Sequence, residues 1–102
     1  MSQFDVHRYT LPGSRVALAV DLQNKLLEGL ATRLIAPLRL LSENDRPLLR
    51  LNPVVEIEGK RYFVAVQGAA TVRVKALGAK VASLENWRDE IVAAIDFLVT
   101  GV

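Results

Sequence analysis

Apolar and polar residues alternate through most of this chain, then change rhythm near its end. Residues 3–9 place Phe4, Val6 and Arg8 on one side and Asp5, His7 and Tyr9 on the other, the period of a half-exposed strand. Leu11, Pro12, Gly13 and Ser14 read as a turn, because proline fixes φ and glycine accepts φ > 0. Residues 15–22 alternate again, with Val16, Leu18, Val20 and Leu22 toward a core and the small Ala17 and Ala19 away from it. The two segments predict an antiparallel hairpin. Residues 32–41 predict a third strand, in which Pro37 lacks an amide proton and so points to an edge or a bulge. A polar loop follows at 42–47, and Asn52-Pro53 opens a fourth strand at 54–57. Glu58-Gly59 is a tight turn into a fifth strand at 60–66. Gly68, Ala69 and Ala70 break the run. Residues 71–77 alternate as a sixth strand, and Gly78 leads toward the last element.

That last element has a different period. Within residues 84–102 the apolar side chains Leu84, Trp87, Ile91, Ala94, Ile95, Leu98, Val99 and Val102 recur at gaps of three and four, which stripes one face of an α-helix. Ser83 is the expected N-cap, with Glu85, Asp89 and Glu90 near the positive end of the helix dipole. Gly101 suits the left-handed position that ends a helix. One helix cannot bury such a stripe alone, so either the strands or a second copy of the chain must cover it. Residues 23–31 are less regular. Leu26, Leu27 and Leu30 could form one helical turn, but Gly29 and the short length favour a loop carrying a hydrophobic knob. Two leucines in a loop are costly when bare, so they fold back or meet a partner. The whole reads as about six short antiparallel strands and one C-terminal helix. That order fits a small barrel or two packed sheets with the helix across an opening.

Composition narrows the picture. The chain has 102 residues, the size of one domain, and 51% are hydrophobic, which is high enough to favour a homodimer. With no cysteine, disulfides and thiolate metal sites are excluded, and a reducing cytoplasm is compatible. No uncharged run approaches the ~20 residues of a membrane span, and the N-terminus has no apolar signal core. A net charge of +2 is too weak to imply nucleic acid by itself.

Candidate chemistry is sparse. His7 is the single histidine and reads as an exposed strand residue before it reads as a base. Ser14 lacks the G-x-S-x-G context of a nucleophile elbow. Asp21 beside Gln23 and Asn24 could be an acid in a pocket, though a polar strand end explains it more simply. Arg8, Arg15, Arg33, Arg39, Arg61 and Arg73 are scattered over strands and read as a solvated sheet surface rather than an RNA groove. Trp87 reads as a core anchor before a partner hot spot. The residues thus describe a binding module with no convergent catalytic set.

Three stretches add a resemblance: VDLQNKLLEGLATRLIAPL, NPVVEIEGKRYFV, and a terminal helix that ends in glycine and an aliphatic residue. In this order and over the full length, the chain resembles the CcdB family of toxins, the DNA gyrase poisons of toxin–antitoxin pairs. The resemblance implies one domain over 1–102, a small SH3-like barrel with a C-terminal helix, and a two-fold homodimer. It implies a cytoplasmic, non-enzymatic inhibitor without cofactor that engages the gyrase A subunit through Thr100, Gly101 and Val102. It implies a CcdA-like antitoxin that contacts Leu26, Leu27, Asp96, Val99, Thr100 and Gly101, displaces gyrase, and represses the operon jointly with the toxin, so that DNA is met only through that complex. One position departs from the family pattern, which ends Trp-Gly-Ile; here Thr100 stands in place of the tryptophan. An aromatic–arginine contact is worth roughly 0.5–2 kcal/mol, so its loss weakens docking by about tenfold or more unless another group compensates. Trp87 does not, lying about 20 Å back along a helix. Two alternatives share the resemblance: an endoribonuclease of the MazF/Kid-like fold, with His7 or Arg15 as candidate groups, and a decayed toxin that still binds antitoxin.

Overall fold

In the computed structural model, which describes residues 2–11 and 15–102, seven antiparallel strands form one curled sheet and a single helix closes its end. The strands are β1 (Asp5–Leu11), β2 (Arg15–Asp21), β3 (Thr32–Leu40), β4 (Val54–Ile57), β5 (Lys60–Val64), β6 (Ala70–Arg73) and β7 (Leu77–Ser83), and the helix is α1 (Arg88–Thr100). The order across the sheet is β4-β5-β3-β2-β1-β7, with β6 also on β3. The architecture is therefore mainly β with one C-terminal helix, curled into a half-barrel. The strands number seven rather than six, because residues 77–83, including Gly78, pair with β1 instead of leading into the helix. The turn at 12–14, and with it Ser14, lies outside the described residues.

The hairpins follow turn chemistry. Between β4 and β5, Glu58 and Gly59 both take positive φ, 52° and 79°, the two-residue turn whose twist matches that of its strands. Pro37 is not at an edge. It sits in β3 opposite Ala19, where the neighbour on the other side changes from β6, which ends its pairing at Ile35, to β5, which begins at Leu38. The missing amide proton falls in that gap, and the Pro37 carbonyl accepts from the Ala65 amide at 2.9 Å. The single long strand thereby serves two short partners, and the sheet curls there.

The core lies inside the curl. Phe4, Val6, Val20, Leu22, Leu38, Val55, Ile57, Val64 and Val66 meet Leu84, Ile91 and Ala94, the inward face of the helical end. Each large apolar side chain so buried contributes roughly 1.5–3 kcal/mol. Phe4 precedes β1 with φ of 70°; its amide donates to the Asp21 carbonyl and its carbonyl accepts from Leu84. It thus ties the first hairpin to the start of the helical end.

Three faces differ from the alternation. Val16 is 64% exposed while Ala19 is fully buried, so the far end of β2 extends beyond the core and its near end is covered on both sides. For the same reason β1 is not half-exposed at its start: Phe4, Asp5, Val6 and His7 are all buried between β2 and β7. The helical end starts with a 3-10 turn at Glu85–Trp87, and α1 proper begins at Arg88 with Trp87 as its N-cap. Ser83 Oγ accepts from the Glu85 amide at 3.3 Å, but Leu84 is the N-cap of the 3-10 turn and Trp87 that of α1, so Ser83 is the N-cap of neither. Trp87 is half-buried and packs on the core, as its place in the stripe predicts.

Candidate functional site

The apolar stripe of the helical end divides. Leu84, Ile91 and Ala94 are buried and Ile95 packs partly against the core, but Leu98 is half-exposed, Val99 is 76% exposed and Val102 is 82% exposed. The sheet covers only the first turns. Gly101 ends the helix at φ 75°, with its amide donating to the Phe97 carbonyl at 2.9 Å. The Thr100 hydroxyl donates to the Asp96 carbonyl at 2.7 Å and accepts from the Val102 amide at 3.4 Å. The tail Thr100-Gly101-Val102 is exposed, yet its backbone is directed by a left-handed glycine and a threonine oxygen. Beside it a cleft of about 380 Å³ is lined by Arg50, Pro53, Val54, Glu90, Ala93, Asp96 and Val102. Arg50, at φ 71°, lays its guanidinium 4.3 Å from the centre of the Phe97 ring. The pattern of the sequence did not single out Arg50 or Phe97, because their contact joins the loop before β4 to the helix.

The second surface is the loop between β2 and β3. Leu26 is 91% exposed, and Leu27 and Leu30 are about half-exposed. Lys25–Leu27 form one 3-10 turn, capped by Asn24, whose Oδ1 accepts from the Leu26 amide at 2.8 Å. Every residue from 24 to 31 is exposed, so the loop has no apolar anchor. Polar side chains hold it instead. Gln23 Nε2 donates to the Leu27 and Thr32 carbonyls at 2.9 and 3.2 Å, and its Oε1 accepts from the Leu34 amide at 3.1 Å. Arg33 Nη1 donates to the carbonyls of Leu30 (2.8 Å) and Thr32 (2.9 Å), and Nη2 to that of Glu28 (2.6 Å). Arg33 Nε faces Asp21 Oδ2 at 3.7 Å. Hydrogen bonds from a charged donor are worth roughly 1.5–3 kcal/mol each when well made.

Arg33 therefore does not belong to a solvated surface; it is only 6% exposed, and Asp21 only 2%. Asp21 is likewise more than a polar strand end. Burial lifts its carboxyl above the usual carboxylate value and Asp5 adds to the rise, against the Gln23 amide, Arg33 and His7, which pull it down. The signal available in the sequence was an acid and a base bracketing a hairpin loop, a diagonal cross-strand pair on one face.

His7 is buried rather than exposed. Its Nδ1 donates to the Gly78 carbonyl at 3.0 Å, and its Nε2 has no partner among the described residues. Asp5 nearby is held by Lys80 at 3.3 Å and by the Ser2 amide at 2.9 Å. No group of three His, Cys, Asp or Glu side chains is arranged to hold a metal among the described residues. Arg15 is exposed and lines a separate cleft with Arg39 and Tyr62, without the buried histidine. Of the positions expected at the two interfaces, Asp96, Val99, Thr100, Gly101 and Val102 fall together at the end of α1, with Asp96 one turn before Thr100 and Val99 exposed directly before it. Leu26 and Leu27 belong to the other surface, and the cleft beside that loop, lined by Glu28, Leu30, Thr32, Arg33, Arg73 and Lys75 among others, shares no residue with the one beside the tail. No helix among the described residues is long and apolar enough to cross a membrane.

A curled antiparallel sheet closed by one helix, with aliphatic side chains exposed on the β2–β3 loop and at the end of α1, defines a small mainly β module. The model of the CcdB family, described as "CcdB protein", matches residues 3–101, and the chain belongs to that family. Membership supports its reading as the toxin of a toxin–antitoxin system. Two solved structures share the fold. One is an endoribonuclease in complex with its cognate antitoxin from a mycobacterial species, at 15% identity and a TM-score of 0.75, covering 94% of this chain and 91% of that one. The other is the Mycobacterium tuberculosis toxin MazF-mt6, at 18% identity and a TM-score of 0.72, covering 90% and 92%.

Proposed function

We propose that this protein is a gyrase-poisoning toxin that acts by docking, with no bond-making of its own. The tail Thr100-Gly101-Val102 engages the gyrase A subunit and traps the enzyme on cleaved DNA. A CcdA-like antitoxin covers Leu26, Leu27, Asp96, Val99, Thr100 and Gly101; because it shares the tail, it and gyrase exclude each other. Toxin and antitoxin together then repress their operon, and the toxin works as a homodimer in the cytoplasm. The observation that carries this reading is the divided stripe, with the helix anchored at Ile91 and Ala94 and left bare at Val99 and Val102. Bare aliphatic groups on a rigid helix end lose little entropy on binding, which favours an interface over a loose tail. The endoribonuclease alternative draws on the shared fold, but a His7 buried between strands cannot reach an RNA phosphate.

The test is to incubate purified gyrase from the source organism with plasmid DNA and this protein at micromolar concentration. Cleaved complex should accumulate. Its absence, with RNA cleavage in a parallel incubation, would replace this reading with the ribonuclease one.

A further inference from the structure

The β2–β3 loop poses a physical problem. It carries three exposed leucines, buries none of its residues from 24 to 31, and yet its carbonyls at Leu27, Glu28, Leu30 and Thr32 are each bonded by a side chain from its own ends. An ordinary surface loop leaves those carbonyls to water. Here a buried arginine takes three of them, and burying a guanidinium is unfavourable unless its charge is met and its donors are used.

We propose that Arg33, with Asp21 as its counter-charge, is the positioning residue of the leucine knob, fixing Leu26, Leu27 and Leu30 outward for docking. The proposal rests on reading that loop as an antitoxin-docking surface. The three nitrogens of the guanidinium divide the work: Nε faces Asp21, Nη1 spans Leu30 and Thr32, and Nη2 reaches back to Glu28. The planar fork reaches separate carbonyls at fixed angles, which a lysine ammonium on a flexible stem cannot reproduce. Gln23 closes the other side of the loop onto Leu27 and Leu34. The leucines are thus held out by hydrogen bonds to the backbone beneath them, not by packing. Arg33 need not touch the partner to govern the affinity of the surface, since a pre-ordered loop binds without the entropy loss of a mobile one.

Arg33→Lys separates positioning from simple stability. It keeps the positive charge beside Asp21 but loses the fork. Amide hydrogen exchange at Leu27, Glu28 and Leu30 should accelerate at least tenfold in the variant, while amides of Val20 and Ala36 keep their rates. The antitoxin encoded beside the toxin should bind the variant about tenfold more weakly. Unchanged loop exchange would overturn the proposal, as would loop and core amides accelerating by one common factor. Should the variant not fold, the parent gives a second measurement. The Arg33 guanidinium protons should appear as slowly exchanging resonances, and exchange as fast as in free arginine would overturn the proposal. A Leu26→Ala, Leu27→Ala double variant that keeps parental affinity would sink the docking reading of the loop, and the exchange rates would still decide whether Arg33 sets its shape.

Discussion

The tail of α1 and the β2–β3 loop both present aliphatic side chains to solvent, and they do so by opposite means. The tail extends an element whose other face is in the core, so Ile91 and Ala94 hold what Val99 and Val102 display. The loop touches the core nowhere and is held from behind by Arg33, Asp21 and Gln23. The contrast shows that an exposed apolar tip can be held either by a helix that continues the core or by hydrogen bonds to a loop's backbone. Packing supplies rigidity to a helix that continues a core stripe; hydrogen bonds to carbonyls supply it to a loop that has no such stripe.

The two surfaces should respond differently to substitution. The largest effect is expected from Ile91→Ala. It removes a fully buried anchor of α1 and should cost about 2–5 kcal/mol in urea unfolding. The tail should lose function with the fold, whereas loss of stability below that range would mean the helix is held elsewhere. Leu26→Ala with Leu27→Ala should instead leave stability within about 0.5 kcal/mol and weaken antitoxin binding at least tenfold, measured by calorimetry. Gly101→Ala places a Cβ at φ 75°, where nothing crowds it but the backbone is strained. It should cost roughly 1 kcal/mol locally, read as faster exchange of the Gly101-equivalent amide and a shifted tail rather than a lower melting temperature. Thr100→Trp removes the hydroxyl that bonds Asp96 and Val102 and restores the aromatic of the family pattern. Against a gyrase that presents an arginine to this position it should poison more strongly, and no gain would mean that the tail docks in another manner.

The smallest expected effect is in pH dependence, where the two ends of the molecule carry opposite signs. Asp21 has its carboxyl raised above 3.8, chiefly by burial. Its contribution to stability is therefore full below 3.8 and lost as pH rises through the higher native value. Asp45, exposed in the polar loop, is lowered by hydrogen bonds from the Ser42 amide and hydroxyl. Its contribution is present above 3.8 and lost as pH falls through the lowered value, and solvent screening keeps it small. Asp21→Asn should flatten the decline above 3.8 and leave the acid limb in place. An unaltered decline would mean that Asp21 is not the group responsible.

Much of this was legible in the chain. The period of three and four marked the helical end, glycine marked its stop at 101, and Glu58-Gly59 marked a hairpin, because each depends on residues close in sequence. What was hidden depends on residues far apart. Residues 77–83 carry too many small and polar side chains to announce a strand, and β7 exists because β1 offers an edge. Pro37 looked like an edge marker because nothing local reveals that β5 and β6 meet β3 on either side of it. Arg33 sits between Thr32 and Leu34 with the wrong polarity for burial; only the three carbonyls of Glu28, Leu30 and Thr32, together with Asp21, make an interior for it. The period of α1 marks its apolar face, but the point at which the sheet ceases to cover that face depends on how far the strands extend.

Docking through the tail is tested most directly in the gyrase cleavage assay by comparing the parent with a chain lacking Thr100 to Val102. The truncated chain should keep its melting temperature to within a few degrees, since the deleted residues are exposed, and should yield no cleaved complex. Undiminished cleavage by the truncated chain would contradict docking through this tail.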